Sequence, residues 1–354
     1  MTTITITPRG PFSLAASARF LEGFAPARYH GHAADSAVRL AFPADDGHST
    51  VGAAVRQAAD GTVLADLTGD AEPAAAAAQL ARVFSLDIDS SGFAQIAEAD
   101  PVVAGLAARY PGLRPVCFAS PYEAAAWAVI GHRIRITQAA AIKERIAGQY
   151  GQHITVVGAP LAAFPAPATL REAARIPGLP EIKTERLRVL ADAALAGDLD
   201  AAKLRAMPPA DALANLRTLP GIGPFSAELI LIRGAGHPNL FPACERRLHA
   251  AMADAYHLDN PGPGQLAQLS ARWEPYRSWV ALLLRTHREE TTHEIAFRAR
   301  TQGAWTTPAT GPSSQPPGSG KSAASGADGP GQLPDQATPA NDLGTSLLHA
   351  SLLS

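Results

Sequence analysis

The segment FPACERRLHA, residues 241–250, holds a carboxylate that could do chemistry. Glu245, Leu248 and Met252 are spaced i, i+3 and i+7, so they share one face of a helix that begins near Cys244. Leu248 and Met252 predict a buried stripe, and Glu245 should therefore point inward or toward the edge of a cleft. A carboxylate in that position can be a catalyst. The alternative is a helix N-terminal carboxylate, which the helix dipole stabilises by about 0.3–1 kcal/mol.

A second informative segment, TLPGIGPFSAELI, precedes it at 218–230. A helix that ends near Leu216 meets Pro-Gly-Ile-Gly, and another helix starts at Pro224. Gly221 and Gly223 allow a tight hairpin whose backbone N–H groups are not covered by side chains. At a helix N-terminus such groups attract an anion, for example a DNA phosphate, and they read the backbone rather than the base sequence. The alternative is an ordinary corner between two helices of an all-α protein.

Charge is distributed unevenly along the 354 residues. Residues 111–290 carry 20 Lys and Arg against 16 Asp and Glu, a net charge of +4, whereas residues 1–110 carry 7 and 12, a net charge of −5. The middle region is therefore the candidate to face a polyanion, although enzymes without such a partner commonly carry a similar charge. The hydrophobic fraction of 47% is typical of a soluble globular protein, and no apolar run approaches the ~18 residues of a membrane span.

The N-terminus and the cysteines argue for a reducing compartment. MTTITITPRGPF has neither the basic nor the apolar region of a signal peptide. Cys117 and Cys244 lack the spacing of metal ligands or of a disulfide framework, and the eleven histidines show no metal spacing. We therefore expect a cytoplasmic protein without membrane contact.

The elements that must position these segments begin with a mixed region over residues 1–110. TTITIT (2–7) alternates and is β-branched, as a strand would be. Residues 37–42 and 49–69 predict further strands, with Asp60-Gly61 supplying the turn of a hairpin. Helices are predicted over 13–24, with Ser13 near its N-cap, and over 71–84.

From about 90 to 290 the pattern is helical. SPYEAAAWAVIG (120–131) has Ser120 at the N-cap, Pro121 at the first helical position and Glu123 at the capping-box position. Further helices are predicted over 136–151, 179–197, 208–219, 224–236, 244–256 and within 274–289. Residues 304–354 are rich in Pro, Gly, Ser, Ala and Thr, so we expect a disordered tail.

The chain resembles the helix-hairpin-helix DNA glycosylases, in particular bacterial 3-methyladenine DNA glycosylase II. The match keeps the family's order and spacing through residues 108–141, 216–234, 240–248 and 272–284. The resemblance implies an α+β fold: an N-terminal mixed α/β domain with an antiparallel sheet over 1–110, then an all-α helix-hairpin-helix glycosylase core over 111–290. The tail lies outside the resemblance.

Such enzymes flip a damaged nucleotide out of the duplex and cleave the base–sugar bond through a transition state like an oxocarbenium ion. A carboxylate near the sugar stabilises that state and orients or deprotonates water. The family places an aspartate at the start of the helix after the hairpin, and the matching residue here is Glu245. Because glutamate is one methylene longer, a misplacement of about 1 Å can cost on the order of 100-fold in rate unless a shifted backbone restores the position.

The resemblance also assigns a DNA-binding hairpin, which consists of Leu219, Gly221, Ile222, Gly223, Phe225 and Ser226. Relatives with lyase activity carry a lysine at the position of Phe225, so we expect a monofunctional enzyme with water as the nucleophile. Phe225 itself could stack on a flipped base or belong to the core. As in the family, the backbone carbonyls of Arg217, Leu219 and Ile222 could hold Na⁺ or K⁺. The four cysteines of an iron–sulfur cluster are absent, and we expect no other cofactor.

Two departures from the family concern the DNA wedge and the base pocket. After Ile130-Gly131 the family has Gln and a wedging residue, whereas this chain has His132 and Arg133. Arg133 could fill the gap and contact phosphate, or it could simply be solvated, and His132 reads as structural rather than catalytic. The family lines its pocket with aromatics that stack on cationic bases. The matching positions here are Phe20, Phe225, Leu229, Arg246 and Arg285.

Arginines in that pocket disfavour a cationic base, and Arg246 or Arg285 could instead pair with Glu245. The sequence thus predicts a monomeric, monofunctional DNA N-glycosylase that removes an alkylated or deaminated purine from double-stranded DNA in base excision repair. One alternative is a damaged-DNA-binding paralogue whose catalysis is weak or lost because the family aspartate is Glu245. A third reading is an enzyme that cleaves an N-glycosidic bond outside duplex DNA.

Overall fold

A computed structural model describes residues 2–26, 31 and 35–292, which all belong to one compact unit. In chain order its elements are β1 (Thr2–Ile6), α1 (Leu14–Glu22), β2 (Val38–Pro43), β3 (Thr50–Gln57), β4 (Val63–Gly69), α2 (Pro73–Val83), α3 (Phe93–Ala99), α4 (Pro101–Arg109), α5 (Pro121–Gly131), α6 (Ile136–Tyr150), β5 (His153–Val156), β6 (Ala159–Ala162), α7 (Pro167–Arg171), α8 (Glu181–Leu195), α9 (Ala201–Ala206), α10 (Pro209–Leu216), α11 (Pro224–Leu229), a π-helical turn (Ile230–Gly234), α12 (Arg246–Ala255), α13 (Pro263–Ser270), a 3₁₀ turn (Ala271–Trp273) and α14 (Arg277–Thr292). This order confirms the predicted α+β fold. The predicted tail, 304–354, lies outside the described residues.

The first sheet is antiparallel and four-stranded, in the order β1-β4-β3-β2. The central strand β3 is buried over its first six residues, as a strand covered on both faces requires. The predicted hairpin turn joins β3 to β4: Gly61 has φ +88°, and the Asp60 carboxylate accepts a hydrogen bond from Thr62 N at 2.9 Å. The strand predictions over 2–7, 37–42 and 49–69 are therefore confirmed.

A second hairpin, β5-β6, was not predicted. Its strands have four residues each, too few for a clear alternation, and its turn places Val157 at φ +46° and Gly158 at φ +76°. The hairpin packs on the first sheet at Gly52, where an added Cβ would lie 2.8 Å from Val156 Cγ2. A segment inside the helical region thus completes the core of the N-terminal sheet.

Helix α5 runs through the core, and its residues Pro121–Ile130 are all buried. Ser120 Oγ accepts a hydrogen bond from Glu123 N at 3.1 Å, which confirms the predicted N-cap. The capping-box role of Glu123 is wrong, because its carboxylate binds Lys143 Nζ of α6 at 2.5 Å. A buried cation elsewhere in the chain outcompetes the local backbone N–H for this carboxylate.

The other predicted helices are present, most of them with shorter bounds, but the helix predicted within 274–289 continues to Thr292 as α14. The single helix predicted over 224–236 is α11 followed by the π-helical turn Ile230–Gly234. Of the helices among the described residues, none has the length and apolar character to cross a membrane.

Two hydrophobic clusters form the core. The larger joins the four-stranded sheet to α1, α2, α5, α6, α8 and α11. The smaller joins α12, α13 and α14 to Ile96, Val103 and Leu106 of α3 and α4. Residues from both sides of position 110 therefore share one hydrophobic cluster. The predicted domain boundary at residue 110 stays a prediction.

Arg114 ties the start of the chain to this core. It is 1% exposed, and its guanidinium group donates to the hydroxyl of Ser90 and to the carbonyls of Arg9, Gly10, Pro11, Ser85 and Ile88. Because all five donors of an arginine fork can be used here, one side chain fixes segments that lie far apart in sequence.

Candidate functional site

The hairpin between α10 and α11 exposes its backbone. Gly221 has φ +89°, and an added Cβ would lie 2.9 Å from Arg186 Cδ, so both conformation and space favour glycine. Gly223 is the N-cap of α11 and faces open space. No side chain caps the first turn of α11, whose N–H groups are left for another partner. Ile222 is 5% exposed, and its N–H donates to Leu219 O at 3.1 Å, which anchors the turn to the core.

The remaining hairpin residues lie around this turn. Leu219 is half-buried against the core, and Phe225 and Ser226 are half-buried in the first turn of α11. Arg217 is the C-cap of α10 and is exposed. The segment therefore keeps its apolar groups inward and its glycine backbone outward.

Glu245 is the N-cap of α12, with only 4% of its surface exposed. Its Oε1 accepts a hydrogen bond from Arg247 N at 2.9 Å. Its Oε2 is buried and accepts no hydrogen bond from any described residue. Leu248 and Met252 on the same face are fully buried. One carboxylate oxygen thus caps the helix, while the other is withdrawn from water without a partner, which is costly for a carboxylate.

Glu228 ties the start of α12 to the hairpin helix α11. It is 7% exposed, and its Oε2 accepts a hydrogen bond from Cys244 N at 2.9 Å. Burial raises the pKa of Glu228, the Cys244 N–H lowers it, and the nearby charge of Glu245 raises it further. Two carboxylates therefore lie close together beside the hairpin helix. Burial and Glu228 raise the pKa of the Cys244 thiol to about 11, so this cysteine is no thiolate nucleophile at neutral pH.

His249 is a site residue that the sequence reasoning missed. It lies one helical turn after Glu245, and its backbone N–H donates to Glu245 O at 3.1 Å. Its ring stacks on Phe241, with centroids 6.1 Å apart and an interplanar angle of 16°, and its Nε2 is buried without a described hydrogen-bond partner. Burial lowers the pKa of His249, whereas the charge of Glu245 raises it. The i, i+4 spacing from Glu245 was the signal that could have found it.

The loop after α5 holds His132 and Arg133. Lys183 of α8 is 8% exposed, and its Nζ donates to Ile130 O at 2.8 Å and to His132 O at 2.7 Å. Arg133 is exposed with φ +58°, an uncommon conformation for a residue with a side chain. Burial lowers the pKa of His132, and the charges of Arg133, Lys183 and Arg186 lower it further. Positive charge is thus concentrated where this loop meets α8 and the hairpin.

The five pocket positions lie at different depths. Phe225 is half-buried, Leu229 is 2% exposed, Arg246 is exposed and Arg285 is fully buried in α14. Neither arginine donates a hydrogen bond to Glu245 Oε2, which accepts none from a described residue.

Phe20, the fifth pocket position, is half-buried and packs on other groups. Its ring centroid lies 5.5 Å from that of Phe24 and 5.2 Å from the guanidinium carbon of Arg233. Arg233 lies in the π-helical turn, is 1% exposed, and donates to Val116 O. Burial lowers its pKa to about 10. Phe20 therefore already contacts a cation.

A cavity of about 280 Å³ has Phe24, the neighbour of Phe20, in its lining. It is lined by β2, α5, α6 and β6 and contains the Glu123–Lys143 ion pair. None of the predicted site residues lines it. Among residues 2–26, 31 and 35–292, no three or more His, Cys, Asp and Glu side chains come together in a way that could hold a metal ion.

Comparison with known proteins gives consistent results. No protein-family model matches the chain. It is 28% identical over 207 residues to DNA-3-methyladenine glycosylase of Bacillus subtilis (strain 168), a match that covers 57% of this chain and 68% of that protein. It is 29% identical over 234 residues to DNA-3-methyladenine glycosylase 2 of Escherichia coli (strain K12), covering 62% and 75%. A probable bifunctional transcriptional activator/DNA repair enzyme AlkA of Mycobacterium tuberculosis is 30% identical, but the match spans 44% of its length.

Solved structures show the same fold. The 3-methyladenine DNA-glycosylase from Archaeoglobus fulgidus superposes with a TM-score of 0.67 at 19% identity, covering 82% of this chain and 99% of that one. MBOgg1, in complex with a low-affinity DNA ligand, superposes with a TM-score of 0.58 at 17% identity, covering 82% and 96%. In sequence the chain is therefore similar to bacterial 3-methyladenine DNA glycosylases, and in fold it is similar to solved structures of DNA glycosylases.

Proposed function

We propose that the chain is a monofunctional DNA N-glycosylase of base excision repair, which flips an alkylated or deaminated purine out of double-stranded DNA and hydrolyses its N-glycosidic bond. The observation that carries this proposal is the buried Oε2 of Glu245, which has no hydrogen-bond partner among the described residues and lies next to the hairpin helix. Relatives named for 3-methyladenine in two bacteria support the reaction class.

Glu245 supplies the negative charge that the reaction needs. As the base leaves, positive charge develops on the sugar, and a carboxylate withdrawn from water stabilises that charge more strongly than one in solvent. Because Oε1 is fixed by Arg247 N, the position of Oε2 is also constrained. With the carboxylate anchored in this way, the extra methylene of glutamate relative to aspartate should lower the catalytic rate only a little.

The hairpin binds the DNA backbone. Leu219, Gly221, Ile222, Gly223, Phe225 and Ser226 offer the uncapped first turn of α11 to a phosphate. Arg133, held exposed by its loop, fills the space that the flipped nucleotide leaves. Since Phe225 carries no amine, water attacks the sugar.

The hairpin carbonyls also suit a monovalent cation. Leu219 O accepts one hydrogen bond, from Ile222 N, and keeps a second lone pair. Together with the carbonyls of Arg217 and Ile222 it forms an all-oxygen donor set, which Na⁺ or K⁺ prefers over the transition metals. The ion would stiffen the turn that faces the phosphate.

Base release from defined duplexes tests the proposal. Duplexes with hypoxanthine, 3-methyladenine or 7-methylguanine are incubated with the wild type, with Glu245→Gln, and with the matched control Glu98→Gln, an exposed residue of α3. Alkali then cleaves the abasic sites. We expect base release from the wild type and the control, and none above background from Glu245→Gln.

The binding-only alternative is favoured by one observation, the capping hydrogen bond from Arg247 N to Glu245 Oε1. Tight binding of the damaged duplexes with no release of any base would establish that alternative instead. A protein that binds no duplex DNA would refute both and leave N-glycosidic cleavage outside DNA.

A further inference from the structure

The cavity of about 280 Å³ beside helix α6 has the lining of a small-molecule site. Its aromatic wall consists of Phe24, Phe118 and Phe164, none of which is more than 3% exposed. Glu144 of α6 and Pro160 of β6 also line it and are exposed, so the cavity opens to solvent between these two elements. A cavity of about 150 Å³ holds one benzene ring, and this one therefore has room for a bicyclic ring.

A buried ion pair shares this lining. Lys143 Nζ of α6 donates to Glu123 Oε1 of α5 at 2.5 Å, and each of the two side chains is 10% exposed. Replacing a buried ion pair by apolar side chains is often neutral or stabilising, so stability alone does not account for charges in this position. A polar ligand in the cavity would give the pair a role that stability does not.

The pair keeps one donor and one acceptor for such a ligand. Lys143 Nζ has three N–H groups and uses two of them, for Glu123 Oε1 and for Pro26 O at 2.7 Å. It also lies 5.4 Å from the ring centroid of Phe164, which is a weaker acceptor than a carbonyl oxygen. Glu123 Oε2 accepts no hydrogen bond from a described residue, and it is not sealed from solvent.

The charges around the cavity balance. Arg39 of β2 and Lys143 supply two positive charges, and Glu123 and Glu144 supply two negative charges. An anionic ligand would meet the Glu123 carboxylate, and a cationic ligand would meet the Lys143 ammonium, so each would place like charges together away from water. A neutral ligand with a donor beside an acceptor meets neither repulsion.

We propose that this cavity binds a small, flat, neutral lactam, the chemical class to which an oxopurine base belongs. A lactam carries a ring N–H next to a ring carbonyl. The N–H donates to Glu123 Oε2, and the carbonyl accepts from Lys143 Nζ. The phenylalanine rings contact the ring of the ligand. The ligand is a free base rather than a nucleotide in DNA, so the proposal does not depend on the glycosylase function.

Calorimetric titration of the wild type with hypoxanthine and with purine tests the proposal. The two molecules share one bicyclic ring system, but purine lacks the six-membered ring's carbonyl and the N–H beside it. We expect hypoxanthine to bind at least about tenfold more tightly, since hydrogen bonds to charged groups are the stronger ones. Benzoate and benzamidinium, a flat anion and a flat cation, should bind more weakly than hypoxanthine. Equal affinity for hypoxanthine and purine, tighter binding of either ion, or no binding of hypoxanthine would overturn the proposal.

Two variants locate the binding. Ala147→Phe, on α6 in the lining, should fill the cavity and abolish hypoxanthine binding. Glu123→Met combined with Lys143→Met keeps the side-chain lengths but removes both charges, and should abolish the preference for hypoxanthine over purine. The matched control removes an exposed ion pair, by Asp198→Ala with Lys203→Met, and should bind as the wild type does. Urea unfolding checks that each variant is folded.

Glu245→Gln separates this cavity from the candidate catalytic site. Glu245 does not line the cavity, so the variant should bind free hypoxanthine as tightly as the wild type. Hypoxanthine binding that is lost in Glu245→Gln, or that persists in folded Ala147→Phe, would overturn the proposal. Base release from damaged duplexes is measured in parallel. A wild type that binds hypoxanthine in the cavity but releases no base would refute the glycosylase function and support this proposal.

Discussion

Lys183 helps to hold the loop that carries Arg133, and removing its amine should loosen that loop. Lys183 Nζ donates to Ile130 O at 2.8 Å and to His132 O at 2.7 Å. Lys183→Met keeps the length and apolar contacts of the stem but takes away both donors. Ile130 is fully buried, so its carbonyl would be left without a partner away from water, whereas half-buried His132 can recruit solvent.

The expected loss of stability follows from the surroundings of the two carbonyls, which are those of Ile130 and His132. A buried carbonyl left unsatisfied costs roughly 1–3 kcal/mol, and a lost hydrogen bond from a charged donor costs a similar amount. We therefore expect Lys183→Met to lower the free energy of unfolding by about 2–4 kcal/mol. The exposed surface lysine of α9 gives the control: Lys203→Met should change that free energy by less than about 0.5 kcal/mol.

Two measurements decide the outcome. Urea unfolding gives the free energy of each variant, and 2-aminopurine placed beside the lesion reports the unstacking that accompanies nucleotide flipping. Lys183→Met should reduce the fluorescence change on binding more than it reduces affinity, because the hairpin still holds the phosphates. A variant with unaltered stability and an unaltered fluorescence change would refute the role assigned to this lysine.

Three further outcomes follow from the site. Gly221→Ala should destabilise the protein by roughly 1–2 kcal/mol and weaken DNA binding, because φ is +89° and Arg186 must move. The control Gly148→Ala, in α6 with no neighbour within 4 Å, should leave stability and DNA binding unchanged or slightly improved. Unfolding and binding titrations measure both variants, and a Gly148→Ala variant that is less stable or binds more weakly than Gly221→Ala would contradict this prediction. The free energy of unfolding of Glu228→Gln should rise relative to that of the wild type as the pH rises above 4.5. The buried Glu228 carboxyl has a raised pKa, so its ionisation destabilises the folded wild type. A stability difference that grows as the pH falls would contradict this prediction. Borohydride reduction of the wild type on abasic DNA should trap no covalent complex, whereas a trapped band on a denaturing gel would show an amine nucleophile despite Phe225.

The sequence predicted those features that depend on neighbouring residues. Ser13 and Ser120 were expected as N-caps, and each accepts a backbone N–H three residues ahead, from Ala16 and Glu123. The burial of Leu248 beside Glu245 follows in the same way from helical periodicity. Local capping and apolar spacing are properties of a few consecutive residues, and a single sequence contains them.

Features that depend on residues far apart in the chain could not be predicted from the sequence. Glu123 was expected to complete a capping box, but Lys143 lies twenty residues further along and takes its carboxylate. The spacing of His249 from Glu245 can be read from the sequence, but the burial of its Nε2 depends on the fold. Arg233, in the π-helical turn, donates to the carbonyl of Val116, 117 residues away in the chain. None of these contacts leaves a periodic pattern in the chain.

The crossing of residue 110 by the core has a consequence for how the molecule melts. Helices α3 and α4 pack with α12–α14, the β5-β6 hairpin covers the N-terminal sheet, and Arg114 joins the first strand's continuation to the loop after α2. A fragment that begins after residue 110 would expose the apolar faces of α12 and α14 and could not retain the hairpin's packing. Heat or denaturant should therefore unfold the described residues in one cooperative transition. A substitution that weakens the sheet should then lower the fraction of folded protein, and the folded molecules should keep the same rate of catalysis at Glu245.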